Sequence, residues 1–247
     1  MYVNTTGLIL RQTPYNESSK ILTVLTAAEG KLTVMARGAV RRNSKLAAST
    51  QLLVFSEMTL FSSRDRWTLT EARSIEQFSG LQNDVANLAL GSYFAELTET
   101  VSDEDSPNPE LLPLCLNALY ALSEGIKAPS CVKPAFELRL MAISGFSPLV
   151  AHCAKCGKEE PERSFLDVEG GILYCSDCTQ IRSVPLSGGA LSAARYIIGC
   201  NAKKLFSFSL ENESQRELAS AVEKYLLVQL DRRFRTLEFY KAVRSEG

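Results

Sequence analysis

The sequence predicts a multi-domain α+β protein: an N-terminal OB-type β-barrel, then an α-helical domain with an inserted four-cysteine element. Three observations predict this. The first 80 residues hold five short runs rich in β-branched and aromatic residues, parted by turn residues and without a helical period. From about residue 81 the apolar spacing changes to threes and fours. Two Cys-x-x-Cys pairs, Cys153/Cys156 and Cys175/Cys178, then interrupt the helical pattern. The expected divisions are a barrel over 1–80, a first helical part over 81–150, the cysteine element over 151–180 and a second helical part over 181–247.

The strand runs are 7–11, 20–26, 31–37, 52–61 and 67–73. Five strands in so short a stretch suit a small barrel better than a βαβ unit. A five-stranded OB-type barrel is the preferred version, and an SH3-like barrel is its close competitor. Asp84 is placed to cap a helix whose apolar stripe runs Leu90, Phe94, Leu97, Val101. The stretch 103–109, with Pro107 and Pro109, breaks it. Pro109 is placed to open a second helix through Leu111, Cys115, Leu119 and Leu122, ending at Gly125. Ser130 is placed to cap a third, through Phe136, Leu140 and Ile143, ending at Gly145. Two more follow the cysteines: one over about 187–198, the other from near Ser214 through Leu218, Val222, Tyr225, Leu226 and Leu230.

Composition narrows the function. The 247 residues are 45% hydrophobic and 22% charged, a globular balance that can bury a core without disulfides. No apolar run reaches the roughly 18 residues of a membrane span, so no membrane partner is expected. Residues 1–6 show no basic region followed by an apolar core, so no secretory signal is read and the cytoplasm is the expected compartment. Seven cysteines there point to metal rather than disulfides. A single histidine, His152, excludes most histidine-dependent catalysis. The chain has no P-loop, no Gly-x-Ser-x-Gly, no Gly-x-Gly-x-x-Gly and no Lys-x-Asp-Gly. A zinc deaminase would need a Glu where Lys155 stands and a Pro where Tyr174 stands. The chain is therefore read as a non-enzyme.

The 18 residues between the cysteine pairs suit two tight turns that present four thiolates to one ion. Zn²⁺ held by Cys153, Cys156, Cys175 and Cys178 would have a full coordination shell, leaving no place for an activated water. The site is thus expected to brace structure. Gly157, Gly170 and Gly171 fit the turns of such a ribbon. A redox dithiol and a metal-free cysteine cluster are the alternatives. His152 is read as a flanking side chain, and Cys115, Cys131 and Cys200 as small core residues.

The net charge of −1 conceals an asymmetry: +4 over 1–80, −6 over 81–150, −3 over 151–180 and +4 over 181–247. Basic ends around an acidic middle suit a polyanion-binding surface, with ordinary fluctuation of surface charge as the competing account. Arg37, Arg41, Arg42 and Lys45 place four cations in nine residues, with Gly38 and Ser44 keeping the backbone adaptable. Cations on a loop above a small barrel can track a phosphate backbone. Lys31, Arg64 and Arg66 would widen that surface. Tyr15, Phe55, Phe61 and Trp67 are the nearby stacking groups, with a core role favoured for each. A solvated charge run is the competing reading of the loop. Arg232, Arg233 and Arg235, with Lys203 and Lys204 upstream, form a second cluster. Compensation of a helix C-terminal dipole competes with DNA contact there.

In chain order, Gly7-Leu8-Ile9-Leu10, then Asn16-Glu17-Ser18-Ser19-Lys20-Ile21-Leu22, then Thr26 with Gly30, then Ala36-Arg37-Gly38-Ala39 with Ser44 resemble the N-terminal barrel of the bacterial RecO family of DNA repair proteins. The four-cysteine segment resembles the zinc element that many members carry. Arg235-Thr236-Leu237-Glu238-Phe239 resembles the family's closing segment. Thr236 stands where Ser is expected, and Gln229 where His is common. The resemblance implies a recombination mediator that binds single- and double-stranded DNA and anneals strands. It implies contacts with RecR and the C-terminal tail of SSB, help in loading RecA onto SSB-coated DNA, and a place at the nucleoid. The alternative is a zinc-ribbon adaptor that docks a protein partner through its acidic helical middle without touching DNA.

Overall fold

Strand alternation builds the first layer of the computed structural model, which describes residues 1–64, 66–104, 106–179 and 183–245. Five strands are present: β1 (Tyr2–Pro14), β2 (Lys20–Thr26), β3 (Gly30–Ala36), β4 (Phe55–Ser63) and β5 (Arg66–Glu76). They close into a barrel in the order β1-β2-β3-β5-β4, with β1 also pairing β4 and a parallel β3–β5 seam at Val34–Trp67 and Met35–Thr68. This is the OB-like arrangement, not the SH3-like one. A register shift between Ile9 and Arg11 bends β1, which lets one long strand serve two neighbours. Every second residue turns inward, so Ile9, Leu22, Val24, Leu32, Val34, Met58, Leu60 and Leu69 fill the interior.

The chain divides into two compact units, Met1–Glu124 with Phe234–Gly247, and Gly125–Arg233. In the first, α1 (Val85–Val101) starts where expected: the Asp84 carboxylate accepts from the N–H groups of Ala86 (2.7 Å) and Asn87 (3.3 Å). Leu90, Phe94 and Leu97 on its inner face are buried. The second helix, α2 (Leu111–Ser123), begins two residues after Pro109. Pro109 lies in the turn before it, which Asn108 holds by accepting from the N–H groups of Glu110 and Leu111. Cys115 is buried in α2 beside Thr98 Oγ1 (3.2 Å), and burial pushes its thiol up to about 12.

The second unit contains α3 (Pro129–Ile143), a three-stranded sheet of β6 (Arg163–Asp167), β7 (Ile172–Cys175) and β8 (Val184–Ser187), α4 (Gly188–Gly199) and α5 (Asn212–Gln229). The sheet is antiparallel in the order β7-β6-β8. Ser130 does not cap α3. Pro129 takes its first position with Ala128 before it, because a fixed φ and an absent N–H suit proline there. Lys133 of α3 is buried between Glu137 (2.7 Å) and Glu223 of α5 (2.8 Å). Ser187 caps α4 through the N–H of Ala190. Gln229 donates to the carbonyls of Val168 (2.8 Å) and Glu169 (3.0 Å) in the turn between β6 and β7. Cys131 and Cys200 are half-buried rather than core residues. The division expected at residues 180 and 181 falls outside the described residues.

A sixth helix, α6 (Arg235–Ser245), closes the first unit. It packs on α1: buried Phe234 meets Tyr93 edge to face at 5.8 Å, and Thr236 donates its N–H (3.3 Å) and Oγ1 (2.5 Å) to Glu96. Among the described residues no helix is long and apolar enough to cross a membrane.

Candidate functional site

The four cysteines come together on two turns. β7 ends at Cys175, and the chain turns so that the Cys178 N–H donates to the Cys175 carbonyl at 3.1 Å. The first pair sits on a turn closed by Gly157 N–H to Cys153 O and by Cys153 N–H to Lys158 O, both 2.9 Å. Gly157 has φ +75°, a left-handed conformation that favours glycine. Ala154 N–H donates to Leu173 O at 2.7 Å and lays this turn against β7. All four Sγ atoms then lie within 4.8 Å of one another, with those of Cys156 and Cys175 3.6 Å apart. A tetrahedron with metal–sulfur bonds of about 2.3 Å has edges of about 3.8 Å, so this spacing can hold a tetrahedral ion. Burial pushes the Cys153 thiol up, but the backbone N–H groups of Cys156, Cys175 and Lys155 outweigh it and bring it to about 6. Hydrogen bonding to the Cys175 side chain pushes Cys178 up to about 12. The first thiolate forms readily and opposes the next, a conflict that a divalent cation removes. His152 is exposed and stands outside the cluster.

One residue of this site has no signature in the cysteine spacing. Arg195 of α4 donates Nε to Val150 O (2.9 Å), Nη2 to Ala151 O (2.8 Å) and Glu159 O (2.5 Å), and Nη1 to Glu160 Oε1 (2.7 Å). One guanidinium thus grips the chain on both sides of the first pair. The available signal is an arginine on a helix whose buried residues, Ala190, Leu191, Ala193, Ala194 and Ile197, are otherwise small or apolar. Beside it opens a cleft of about 640 Å³, walled by Leu149, Val150, Ile172 and Ile198.

The basic segment after β3 is ordered, not adaptable. Val40 N–H donates to Ser18 O (3.0 Å) and Gly38 N–H to Ser19 Oγ (3.3 Å), which ties the segment to the β1–β2 hairpin. Successive turns follow through Arg41 N–H to Gly38 O, Ser44 N–H to Arg41 O and Ala47 N–H to Ser44 O. Ala39 and Leu46 pack on the barrel core. Gly38, at φ +69°, makes the first turn, and the Arg41 side chain folds back over it. Arg37, Arg41, Arg42 and Lys45 are all exposed, and no ion pair is present on any of them among the described residues.

Lys31 is not brought to this segment. It lies six residues away along β3, about 20 Å at strand rise. Its half-buried side chain donates to Glu99 O (3.1 Å) near the C-terminal end of α1, where a cation is favoured. Arg64 and Arg66 are exposed around the β4–β5 connection. Of the four aromatic residues, Tyr15 alone is exposed, on the hairpin that braces the basic segment. Trp67 packs on the core, Phe61 meets the Tyr2 ring at a tilt with centroids 5.0 Å apart, and Phe55 is half-buried. Arg232 and Arg233 are exposed just after α5, where the dipole account applies to them. Arg235 is the first residue of α6, a helix N-terminus that does not favour a cation, so that account fails for it.

Comparison with known proteins finds two family models that match this chain, one over the barrel and one over the remainder. Residues 1–78 match the model of the family described as Recombination protein O N terminal, and residues 82–238 that of Recombination protein O C terminal. The "DNA repair protein RecO" of Acetivibrio thermocellus is 31% identical over 244 residues, covering 98% of this chain and 97% of that protein. That of Caldicellulosiruptor bescii is 32% identical over 242 residues, covering 98% of each. That of Symbiobacterium thermophilum is 32% identical over 248 residues, again covering 98% of each. With family models matching residues 1–78 and 82–238, and relatives 31–32% identical over nearly the whole chain, the chain belongs to the RecO family of DNA repair proteins.

Proposed function

We propose that the protein is a non-enzymatic recombination mediator that holds single- and double-stranded DNA by the sugar–phosphate chain. One observation carries this: four exposed cations, Arg37, Arg41, Arg42 and Lys45, ride on an ordered segment of an OB-like barrel with no acidic partner among the described residues. Such contacts position the strand without reading sequence. Lys31, Arg232, Arg233 and Arg235 are the further candidates for phosphate contact. Residues 1–80 form the DNA-binding module in this reading, 151–180 the metal element, and 81–150 with 181–247 the helical domain. The ion is Zn²⁺ in a structural role, held by Cys153, Cys156, Cys175 and Cys178, because four thiolates fill its shell. Strand annealing, contact with RecR and with the C-terminal tail of SSB, RecA loading onto SSB-coated DNA and a place at the nucleoid complete the proposal, on the strength of family membership.

The test is a titration of a labelled oligonucleotide, single-stranded and then duplex, at about 50 mM and about 200 mM salt. Saturable binding that weakens steeply with salt is expected. A chain that binds neither form at the lower salt would instead be an adaptor working through protein partners alone.

A further inference from the structure

Next to the cationic segment lies a feature that phosphate contact does not use. A cleft of about 480 Å³ opens between the β1–β2 hairpin and the segment after β3. Its volume is within the range of small-ligand sites. Pro14, Val40 and Ala47 give it apolar walls, while Gln12, Asn16 and Gln51 bring side-chain amides to it. Lys20 also lines it, only 7% exposed, and donates to Gln12 Oε1 (2.7 Å) and Thr50 O (2.8 Å). An ammonium has three donors, so these two partners leave one for a ligand.

We propose that this cleft takes one unstacked nucleobase of a single strand whose phosphates lie along Arg37, Arg41, Arg42 and Lys45. The inference rests on the DNA-binding reading and deepens it. Amides both donate and accept, as base edges do, and the remaining Lys20 donor suits a base carbonyl oxygen. Apolar walls take the flat face of a ring, with exposed Tyr15 on the same hairpin available to the next base. Positive charge alongside recruits a polyanion rather than a neutral peptide. A duplex keeps its bases paired and stacked, and must open before it can offer one. The cleft therefore turns an otherwise indiscriminate phosphate binder into one that prefers single strands.

The test uses the full chain and two oligomers with the same number of phosphates, oligothymidylate and a fully abasic strand. Wild type is expected to bind oligothymidylate roughly tenfold more tightly, the scale of one base–protein contact. Ala47→Phe, which fills the cleft, removes that preference and keeps the salt dependence. Gln51 is exposed, so Gln51→Ala leaves the fold intact, and it is expected to reduce the preference severalfold. Equal affinity of wild type for both oligomers, or an undiminished preference in Gln51→Ala, overturns the cleft assignment. Failure of wild type to bind either oligomer overturns the DNA-binding reading itself.

Discussion

Replacing Arg41 and Arg42 together by glutamine removes two of the four exposed cations on the segment after β3. The backbone hydrogen bonds that order the segment, from Val40 to Ser18 and from Arg41 to Gly38, do not depend on those side chains. The fold should therefore be kept while the charge is lost. Each phosphate neutralised on a single strand contributes about 0.7 to the slope of log affinity against log salt. Four cations supply about 2.8, and the two left in the variant about 1.4. Between about 50 and 200 mM salt the wild-type affinity through this segment should fall about 50-fold, and that of the variant about 7-fold. Fluorescence anisotropy across a salt series reads both slopes, and a thermal melt confirms that the variant is folded. A variant whose slope equals that of wild type would remove the segment from the interface and move attention to Arg232, Arg233 and Arg235.

Three other outcomes are expected. Chelation or Cys175→Ser should make residues 150–180 sensitive to protease while oligonucleotide binding persists; equal digestion with and without metal would dismiss a bracing ion. Arg195→Lys keeps the charge but cannot reach four acceptors, so metal should be lost to a chromophoric chelator at least tenfold faster, as for other supporting contacts of metal sites. An unchanged rate would make Arg195 a bystander. Lys133→Met removes the cation buried between Glu137 and Glu223 and should cost about 3–5 kcal/mol in urea unfolding, most of it regained by adding Glu137→Leu. Burial opposes the charge on Lys133, but the two carboxylates outweigh it and raise its pKa above the ordinary 10.5. Its contribution is thus fully present below about pH 10.5 and fades as pH rises through the higher folded value, a decline that Lys133→Met should lack.

What the sequence made legible was local. The barrel strands follow from β-branched alternation, α1 from its cap Asp84, α4 from the helical run over about 187–198, and the four-cysteine cluster from two Cys-x-x-Cys turns. Longer reach was not legible. Only Leu237 and Tyr240 are buried in α6, and its anchor is a hydrogen bond from Thr236 to Glu96, 140 residues away. Nothing local marks such a pairing. Arg195 grips mostly backbone carbonyls, which every residue carries, so its acceptors have no sequence pattern. Lys31 has the composition of a phosphate ligand, yet its side chain serves the carboxyl end of α1. The order of the basic segment comes from Ser18 and Ser19, two residues whose sequence context says nothing of that contact.

The chain leaves the first unit at Glu124 and comes back to it at Phe234. A ribosome emitting the protein therefore delivers the whole intervening lobe before Tyr93 and Glu96 meet their partners. The module that starts first is completed last. Since α1 also leans on the barrel, through Arg11 and Thr23 to Glu99, an exopeptidase nibbling at the tail would loosen the support beneath the barrel before it reached any residue of the four-cysteine lobe.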